Sequence, residues 1–482
     1  MAVTRSRAPD FPDDLVWFNA DAPVSLTEQL GRVVLLNFCA FSSSACRQSL
    51  ADLDYLRNRY RKDLVILGVH SPRYPGEAGA VHLRQSINRY RVAYPVVHDP
   101  ELRLWHAYGM KNRPTQILID RDGYLVGSLS GTGKRDRLEQ VIRYQCGKRS
   151  TIPPRPVRPF MSARTPVNTD TLSFPGRIVL SDSKLFIADS GHNRILVASR
   201  SGAVQRQYGS ASEGFLDGNG ESAAFNNPQG MVLADDYLYV ADTGNHAIRR
   251  IQLRSDEVDT IAGNGKSGTR APATPGEPVS CSLNFPMGVA MKDGMLYIAM
   301  AGANQIWRLS LVSNRIEVFS GTGEAGLVDG PAGRAAFAQP SGLTVLGQSL
   351  YVTDADACAV RSVDVVTGAV STLVGSRLYG YGNRDGTGRE ALLQYPQDIT
   401  VDPHRRMLWV TDTYNNKIRR IGLDTREMSS PVTDRGLIEP GGLAFRGDTL
   451  YIANTLAHEI LCINPDDGHA TTLNVAEELA EV

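Results

Sequence analysis

One frame of residues recurs six times in the second part of this chain and limits how that part can fold. Each copy starts at a proline, continues through two short apolar runs and ends the second run at Asp, Asn or Met. The step from proline to that last residue is 14 in every copy except the fifth, where it is 16. The six prolines are Pro175, Pro228, Pro286, Pro340, Pro396 and Pro440. A constant inner step with variable outer spacing indicates one folded unit repeated, with insertions confined to loops.

Each copy contains four short β-type runs. The first follows the proline, and the others are typified by "LYVAD", "NHAIRRI" and "VDTIAG" (258–263). Four-stranded units in tandem are the blades of a β-propeller, which hides its sheet edges by radial repetition. Six copies therefore predict six blades. Because successive antiparallel strands send alternate loops to opposite faces, we expect the loop after the second run and the loop between blades to share one face, the expected interaction surface.

The first part of the chain has a different pattern, in which β-type runs alternate with helical ones. The runs "RVVLLNF", "DLVILGVH", "YPVVHD", "TQILIDRDG" and "YLVGSLSG" lie at 32–38, 63–70, 94–99, 115–123 and 124–131. Helical spacing of apolar residues falls at 47–62, 79–91 and 135–146. Alternation of strands and helices over this length predicts an α/β domain with a largely buried sheet.

A proline-rich segment at 148–170 separates the two patterns. Its residues 148–166 include five prolines and five basic residues, a composition typical of a stiff, extended connector. We therefore expect one domain at 1–147 and a second at 171–482. Only one aromatic, Phe160, stands among the basic residues and no partner motif accompanies them, so a solvated linker is favoured over a nucleic-acid site.

Composition narrows the class of protein. Lys plus Arg and Asp plus Glu both number 51, so nothing global attracts nucleic acid or an anionic membrane. The longest purely apolar run near the N-terminus is "VVLL" at 33–36, far short of a signal-peptide core or a membrane span. The six cysteines are too scattered for a disulfide framework. We expect a cytoplasmic protein without a cofactor, bound to neither nucleic acid nor membrane.

The repeated frame resembles NHL repeats, a family of six-bladed propellers. The likeness is close at "GFLDGNGESAAFNNPQGMVLADDYLYVADTGNHAIRRI" (214–251), and again at 326–363 and 386–421. Two copies depart from the pattern, with Met300 and Asn454 where the others have aspartate. The resemblance implies a six-bladed propeller over about 300 residues.

Repeated polar residues mark the expected interaction face. The aspartates are Asp189, Asp242, Asp354 and Asp412, and the histidines that follow in equivalent loops are His192, His246 and His458. An aspartate that ends a strand can accept backbone N–H bonds and fix the turn, so we favour that role over a metal or catalytic one. For the histidines, a solvated or capping role near the rim is favoured. A metal-binding propeller hydrolase or lyase, which some similar propellers suggest, is the weakest alternative.

The first 147 residues resemble the thioredoxin-like superfamily, nearest the redoxins. The segments "LVWFNADAPVSLTEQLGRVVLLNF" and "LWHAYGMKNRPTQILIDRDGYLVGSLSG" carry this resemblance. It implies that Arg113 and Pro114 lie where the superfamily has a cis-proline beside the active site. Both parts together resemble NHL-repeat-containing proteins with an N-terminal thioredoxin-like domain.

The resemblance also locates a candidate thiol site in "LNFCAFSSSACRQ" (36–48). Cys46 takes the place of the second cysteine of the family's Cys-x-x-Cys motif, and Ser43 takes the place of the first. The first cysteine attacks as a thiolate, which a serine cannot do near neutral pH. An ordinary disulfide reductase is therefore disfavoured.

Three hypotheses for this site stay open. Cys46 is a small buried residue of a domain kept as a scaffold; or Cys39 and Cys46 form a rewired redox pair; or Ser43 and Cys46 form a peroxide-reducing site with Arg47 or Arg113. We favour a two-domain binding or scaffold protein whose propeller face recruits a protein or small ligand. The alternative is a thiol oxidoreductase or peroxide-reducing protein. The sequence leaves open how the ring closes, through 469–475 or through a strand from 166–173.

Overall fold

A computed structural model describes residues 5–150, 152–153, 171–268, 276–431 and 433–477. The chain divides into two compact units, Met1–Asn168 and Thr169–Val482. The expected connector at 148–170 lies largely outside the described residues.

The first unit is built on a six-stranded mixed sheet with the strand order β1-β4-β3-β2-β5-β6. Its strands are β1 Trp17–Phe18, β2 Val33–Cys39, β3 Leu64–His70, β4 Val96–His98, β5 Thr115–Ile119 and β6 Leu125–Ser130. Its helices are α1 Ser44–Arg59, α2 Ala80–Arg89, α3 Arg103–Ala107 and α4 Arg135–Cys146. Strands β2, β3 and β4 are parallel, while β5 runs antiparallel to β2. This is the thioredoxin-like α/β fold that the sequence predicts.

The centre of this sheet is covered on both faces. Every residue of β2 and β3 is buried, as their near-continuous apolar sequences require for strands packed on both sides. Leu53 and Leu56 of α1 pack on one face, and Trp105 of α3 packs on the other. The parallel register places the last residues of the three central strands, Cys39, His70 and His98, side by side.

The second unit is a ring of six antiparallel blades. Its innermost strands are Pro175–Leu180, Pro228–Ala234, Pro286–Lys292, Pro340–Leu346, Pro396–Asp402 and Pro440–Arg446. The second strands are Lys184–Asp189, Tyr237–Asp242, Met295–Met300, Ser349–Asp354, Met407–Asp412 and Thr449–Asn454. The third strands are Arg194–Ser199, Ala247–Gln252, Gln305–Ser310, Ala359–Asp364, Lys417–Gly422 and Glu459–Ile463. The fourth strands are Ala203–Tyr208, Glu257–Ala262, Arg315–Ser320, Val370–Val374, Glu427–Ser429 and Ala470–Leu473. The six predicted blades are confirmed.

Short strands extend three of the blades at their outer edges. Gly218–Asn219 is added to blade 2 and Gly386–Thr387 to blade 5. Ala476–Glu477 pairs in parallel with the fourth strand of blade 1, so the end of the chain fastens the sixth blade to the first. The sixth blade already obtains its own fourth strand from Ala470–Leu473. The other closure considered, through 166–173, falls mostly outside the described residues.

Glycines on the innermost strands let neighbouring blades approach closely. A Cβ atom on Gly288 would lie 2.1 Å from the carbonyl oxygen of Ser341 in the next blade, and one on Gly230 would lie 2.4 Å from that of Met287. A side chain at either position would therefore force the inner strands apart.

The substitution Gly288→Ala tests this close approach. Because the added methyl group meets a backbone atom that cannot rotate away, we expect the free energy of unfolding to fall by about 2–3 kcal/mol. Gly333→Ala is the matched control, since nothing lies within 4 Å of its Cβ position. Urea denaturation of both variants makes the comparison, and equal stability of the two would contradict the account.

Candidate functional site

The candidate thiol site lies where β2 ends and α1 begins. Cys39 is 5% exposed and Cys46 is fully buried, and both are free thiols. The sulfur of Cys46 accepts a hydrogen bond from the N–H of Ala40 at 3.4 Å. Ser43 is the N-cap of α1, and its hydroxyl accepts from the N–H of Cys46 at 3.3 Å. The serine hydroxyl therefore provides an acceptor for one of the N–H groups that are otherwise unpaired at the N-terminus of α1.

The two thiols differ in acidity. Burial raises the pKa of the Cys39 thiol well above its ordinary value, and the hydrogen bond to Cys46 acts in the same direction. Burial also acts to raise the pKa of Cys46, but hydrogen bonds from Cys39 and the Ala40 N–H lower it below its ordinary value. Cys46 is thus the thiol that ionises first, in a position that solvent does not reach.

A buried carboxylate, Glu77, lies next to this site and was not predicted from the sequence. It accepts hydrogen bonds from both the N–H and the hydroxyl of Ser42, at 3.2 and 3.1 Å. It also accepts from the N–H groups of Arg73 and Tyr74. A helix N-terminus favours an anion, and here an internal carboxylate supplies it. The signal was the turn "RYPGE" (73–77), where an acidic residue follows Tyr-Pro-Gly.

A row of imidazoles extends from the thiol site along the sheet edge. The Nδ1 atoms of His70 and His98 lie 3.4 Å apart, and the ring of Phe41 stacks on His70 with centroids 5.6 Å apart. Burial lowers the pKa of His70 well below its ordinary value and lowers that of His98 as well. Burial also lowers the pKa of His82 to about 4. The sequence signal was a histidine at the end of "LVILGVH" (64–70) and of "PVVH" (95–98).

The two arginines considered for peroxide binding have other contacts. The peptide bond between Arg113 and Pro114 is cis, as the resemblance implies. Arg113 donates to the carbonyl oxygens of Ser71 and Pro72 at 2.8 and 3.2 Å, and its guanidinium lies 3.7 Å from the centre of the Trp105 ring. Arg47 donates to the hydroxyl of Tyr90 at 3.2 Å. Both side chains brace the walls of the site.

In the propeller, the four strand-end aspartates are fully buried and each has two kinds of partner. One carboxylate oxygen accepts a backbone N–H from just before the innermost strand of the same blade, at 2.6–2.8 Å. The other accepts from an arginine on the third strand, at 2.7–2.9 Å. The pairs are Asp189 with Arg194, Asp242 with Arg249, Asp354 with Arg361 and Asp412 with Arg419.

Burial raises the pKa of three of these aspartates, Asp242, Asp354 and Asp412. For Asp242 it reaches about 6 and for Asp354 about 7, while Arg249 and Arg361 act in the opposite direction. In the sixth blade the direction of this hydrogen bond is reversed, because the Asn454 amide donates to Glu459 at 2.8 Å, whereas the aspartates accept from an arginine. Each blade except the third, where Met300 is buried, thus closes its second strand with a polar pair.

Three of the arginines also hold the loop that enters their blade. Arg249, Arg361 and Arg419 each donate to a second aspartate in that loop, at 2.7–2.9 Å. These second aspartates are Asp217, Asp329 and Asp385. They were not predicted from the sequence, although the signal is visible there: an Asp-Gly pair stands at a fixed step before the strand-end aspartate, and this step is longer by two in the fifth copy. We call each such arginine with its two aspartates a loop clamp.

Two histidines of the propeller, His246 and His458, lie at seams between blades. The Nδ1 atom of His246 accepts the N–H of Phe285 in the next blade at 3.1 Å. His458 does the same for Phe174, which joins blade 6 to blade 1. Asparagines take this role at three other seams, namely Asn193, Asn304 and Asn416. His192 differs, since its Nδ1 atom contacts Asp189 at 2.8 Å. His246 and His458 therefore cap the neighbouring blade rather than face solvent.

The axis of the propeller holds a cavity of about 400 Å³ lined by the innermost strands. Near one end, Arg177 and Asp398 form a buried ion pair with Nε and Oδ1 3.4 Å apart. Arg177 also donates to the carbonyl oxygen of Gln397 at 2.7 Å, and Asp398 accepts the N–H of Leu443 at 2.8 Å. The sequence signal was missed: these two charged residues replace the glycine that the other four copies have at this position.

No group of three or more His, Cys, Asp or Glu side chains among the described residues could hold a metal ion. The propeller hydrolase or lyase considered from the sequence has no ligand set in that part of the chain. Within the same described ranges, no helix has the length and apolar character needed to cross a membrane.

Comparisons with known proteins agree with this architecture. The AhpC/TSA family matches residues 4–128. NHL repeat-containing protein 2 of Bos taurus is 33% identical over 517 residues, which covers 94% of this chain and 69% of that protein. The Homo sapiens protein of the same name is 32% identical with the same coverage. Protein SUPPRESSOR OF QUENCHING 1, chloroplastic, of Arabidopsis thaliana is 34% identical over 492 residues, covering 94% of this chain and 46% of that protein.

Fold and repeats together define an NHL-repeat propeller protein with an N-terminal thioredoxin-like domain of the redoxin type. The chain belongs to the family of NHL repeat-containing protein 2.

The seam histidine His246 makes stability depend on pH. Burial lowers its folded-state pKa from 6.5 to about 4, so the unfolded chain takes up this proton first as the pH falls. We therefore expect this histidine's contribution to the free energy of unfolding to decrease between about pH 6.5 and about pH 4. Asparagine fills the equivalent position at three seams and does not titrate. His246→Asn should thus keep the stability at neutral pH and reduce its loss in acid.

Urea denaturation at about pH 7.5 and about pH 4.5 measures the difference. His246→Ala is the control, because it leaves the Phe285 N–H without its acceptor and should cost about 1 kcal/mol at neutral pH. An identical acid response in the wild type and His246→Asn would refute the assignment.

Proposed function

We propose that the protein binds a partner through the loop face of its propeller, and that the thioredoxin-like domain serves as a scaffold without thiol chemistry. The loop face comprises the loops that enter the blades and those that follow the second strands. The observation that carries this proposal is that the loops entering blades 2, 4 and 5 present large apolar side chains to solvent while being fixed from within by the loop clamps.

The exposed apolar residues recur in the loops that enter the blades. Phe215 and Leu216 precede blade 2, Val328 precedes blade 4, and Ile438 precedes blade 6. With Tyr379 and Tyr381 before blade 5, their exposed fractions lie between 41% and 56%. Apolar side chains on an ordered surface are typical of binding sites. A partner that binds the loops before blades 2, 4 and 5 loses little conformational entropy in ordering them, because the loop clamps have already ordered them.

The closed thiol site supports the scaffold role of the first domain. A redox reaction needs a thiolate that its substrate can reach, and Cys39 and Cys46 have 5% and 0% of their surface exposed. Ser43 is used as a helix cap, and Glu77 places a carboxylate beside the helix N-terminus. A second negative charge there opposes a thiolate or a peroxide anion. The oxidoreductase alternatives are therefore not favoured.

We also propose a cytoplasmic location. All six cysteines are free thiols, as a reducing compartment would keep them.

Alkylation of native protein followed by mass spectrometry tests the scaffold role. We expect the half-buried Cys146, Cys281 and Cys462 to be modified first. Cys39 and Cys46 should react as slowly as Cys358, which is buried in the propeller and serves as the internal standard. Rapid labelling of Cys46, lost after a peroxide challenge, would establish a working thiol and overturn this part of the proposal.

A site-specific photo-crosslinker tests the binding face. Benzoylphenylalanine in place of Phe215 lies on the loop face, whereas the same group in place of Val312 lies in a turn between the third and fourth strands on the opposite face. Val312 is 91% exposed and Phe215 41%, so a partner can reach the control position more easily than the test position. We expect discrete cross-linked products in cells from position 215 and none from position 312. Cross-linked products from position 312 and none from position 215 would place the binding site on the opposite face of the propeller.

A further inference from the structure

The loop that enters blade 5 differs chemically from its equivalents. It spans 375–395 and exposes three arginines and two tyrosines, while Lys417, the first residue of the third strand of the same blade, contacts it through Asn383. We call these six residues the blade-5 patch: Arg377, Tyr379, Tyr381, Arg384, Arg389 and Lys417. Tyrosine and arginine are the residue types most often found at the energetic centre of protein interfaces.

Contacts from the rest of blade 5 hold this loop in place. The Asn415 amide donates to the carbonyl oxygen of Gly382 at 2.7 Å. Lys417 and Arg419 both donate to the side-chain oxygen of Asn383, at 3.1 and 2.7 Å. Arg419 also donates to Asp385 at 2.7 Å, as part of the loop clamp. The patch is therefore pre-organised, and little ordering remains to be done on binding.

Tyr379 has a backbone conformation that a bulky residue seldom adopts. Its φ is +59°, in the left-handed region. Strain of this kind persists where the surrounding structure imposes it, and such residues cluster at functional sites. The neighbouring turn, in which the Gly380 N–H donates to the carbonyl oxygen of Arg377 at 2.8 Å, helps to hold this conformation.

The charge of the patch is positive. Asp385 is engaged by Arg419 and by the N–H and hydroxyl of Ser430, so its carboxylate is occupied within the blade. Glu390 is then the remaining exposed acid among four cations of the patch. Apart from the clamped aspartates, the equivalent loop before blade 2 exposes Glu213 and Glu221 and no lysine or arginine. The loop before blade 4 exposes one acid and one base, Glu324 and Arg334. The loop face thus carries opposite charges on opposite sides of the ring, since blades 2 and 5 are three apart among six.

We propose that the blade-5 patch binds an acidic peptide segment that also contains aromatic or aliphatic side chains. This inference rests on the proposed function of the loop face and specifies its partner. Arg384 and Arg389 pair with carboxylates, for which the planar guanidinium provides two parallel donors. Tyr379 and Tyr381 provide flat apolar surfaces for the intervening side chains.

A peptide fits these observations better than a nucleic acid does. A nucleic acid carries one negative charge per phosphate and binds along an extended cationic track. Across this face, such a strand would leave the patch and meet Glu213 and Glu221 on the far side of the ring. A short acidic segment contacts blade 5 alone and avoids that repulsion.

Selection from a phage-displayed library of random dodecapeptides against the full chain tests the proposal. We expect the recovered sequences to be enriched in Asp and Glu interspersed with Tyr, Phe or Leu. Affinity for the full chain in solution, measured by fluorescence anisotropy with a labelled selected peptide, should fall at least about tenfold in Arg384→Gln/Arg389→Gln and in Tyr381→Ala. Affinity should also fall as salt rises.

The matched control is Arg334→Gln, which removes an exposed arginine from the equivalent loop of blade 4 and should change affinity less than about twofold. Thermal melting of each variant verifies that the propeller stays folded. Recovered peptides without acidic residues, or acidic peptides unaffected by the blade-5 variants, would overturn the inference.

Two further outcomes separate this inference from the proposed function. If peptides bind but are sensitive to Phe215→Ser rather than to the blade-5 variants, the loop face still binds partners and the blade-5 assignment is wrong. If no peptide is recovered and the crosslinker at position 215 yields no product, both fail. A labelled single-stranded RNA of matched length is the competing probe, and tighter binding of RNA than of the selected peptides would also overturn the inference.

Discussion

The propeller depends on how the backbone N–H groups just before each innermost strand are bound. A buried N–H group without an acceptor is costly, so each needs a partner. In five blades one of these groups binds the strand-end Asp or Asn of its own blade, and at five seams the next binds an Asn or His side chain of the preceding blade. The residue before each proline has a positive φ of 47–58° in all six blades. This conformation turns the N–H group of that same residue toward the seam with the preceding blade. In most of the ring, one short turn therefore closes a blade and joins it to its neighbour.

The same buried polar contacts decide what the surface can do. The arginine that satisfies a strand-end aspartate reaches a second aspartate in the loop above it, so the closure of the blade and the order of the loop share one side chain. Loops of this length would otherwise be mobile, and their exposed apolar residues would be a liability rather than a binding surface. In the first domain, a comparable arrangement closes a site instead. Glu77 and Ser43 bind the N–H groups around the start of α1, and the thiols are sealed behind them.

Much of the architecture could be predicted because it depends on local patterns. The constant step between proline and aspartate reveals the blades, since each blade is a local unit of four strands. The apolar runs at 32–38 and 63–70 reveal the central strands β2 and β3. The helix α3, with five residues, and the strand β1, with two, were not predicted, because neither is long enough to show a period. The replacement of the first cysteine by Ser43 was also visible at once, and the structure shows what its hydroxyl contacts.

The sequence by itself determined the two domains, the six blades and the absence of a Cys-x-x-Cys pair. Tertiary structure alone decided which distant residues meet. Arg177 and Asp398 are 221 positions apart and become an ion pair only when the ring has closed. Cys39, His70 and His98 become neighbours only through the parallel register of three strands. The physical reason is that a residue's type sets which partners it can accept, whereas burial and distance, which set its charge and reactivity, arise from the packing of the whole chain.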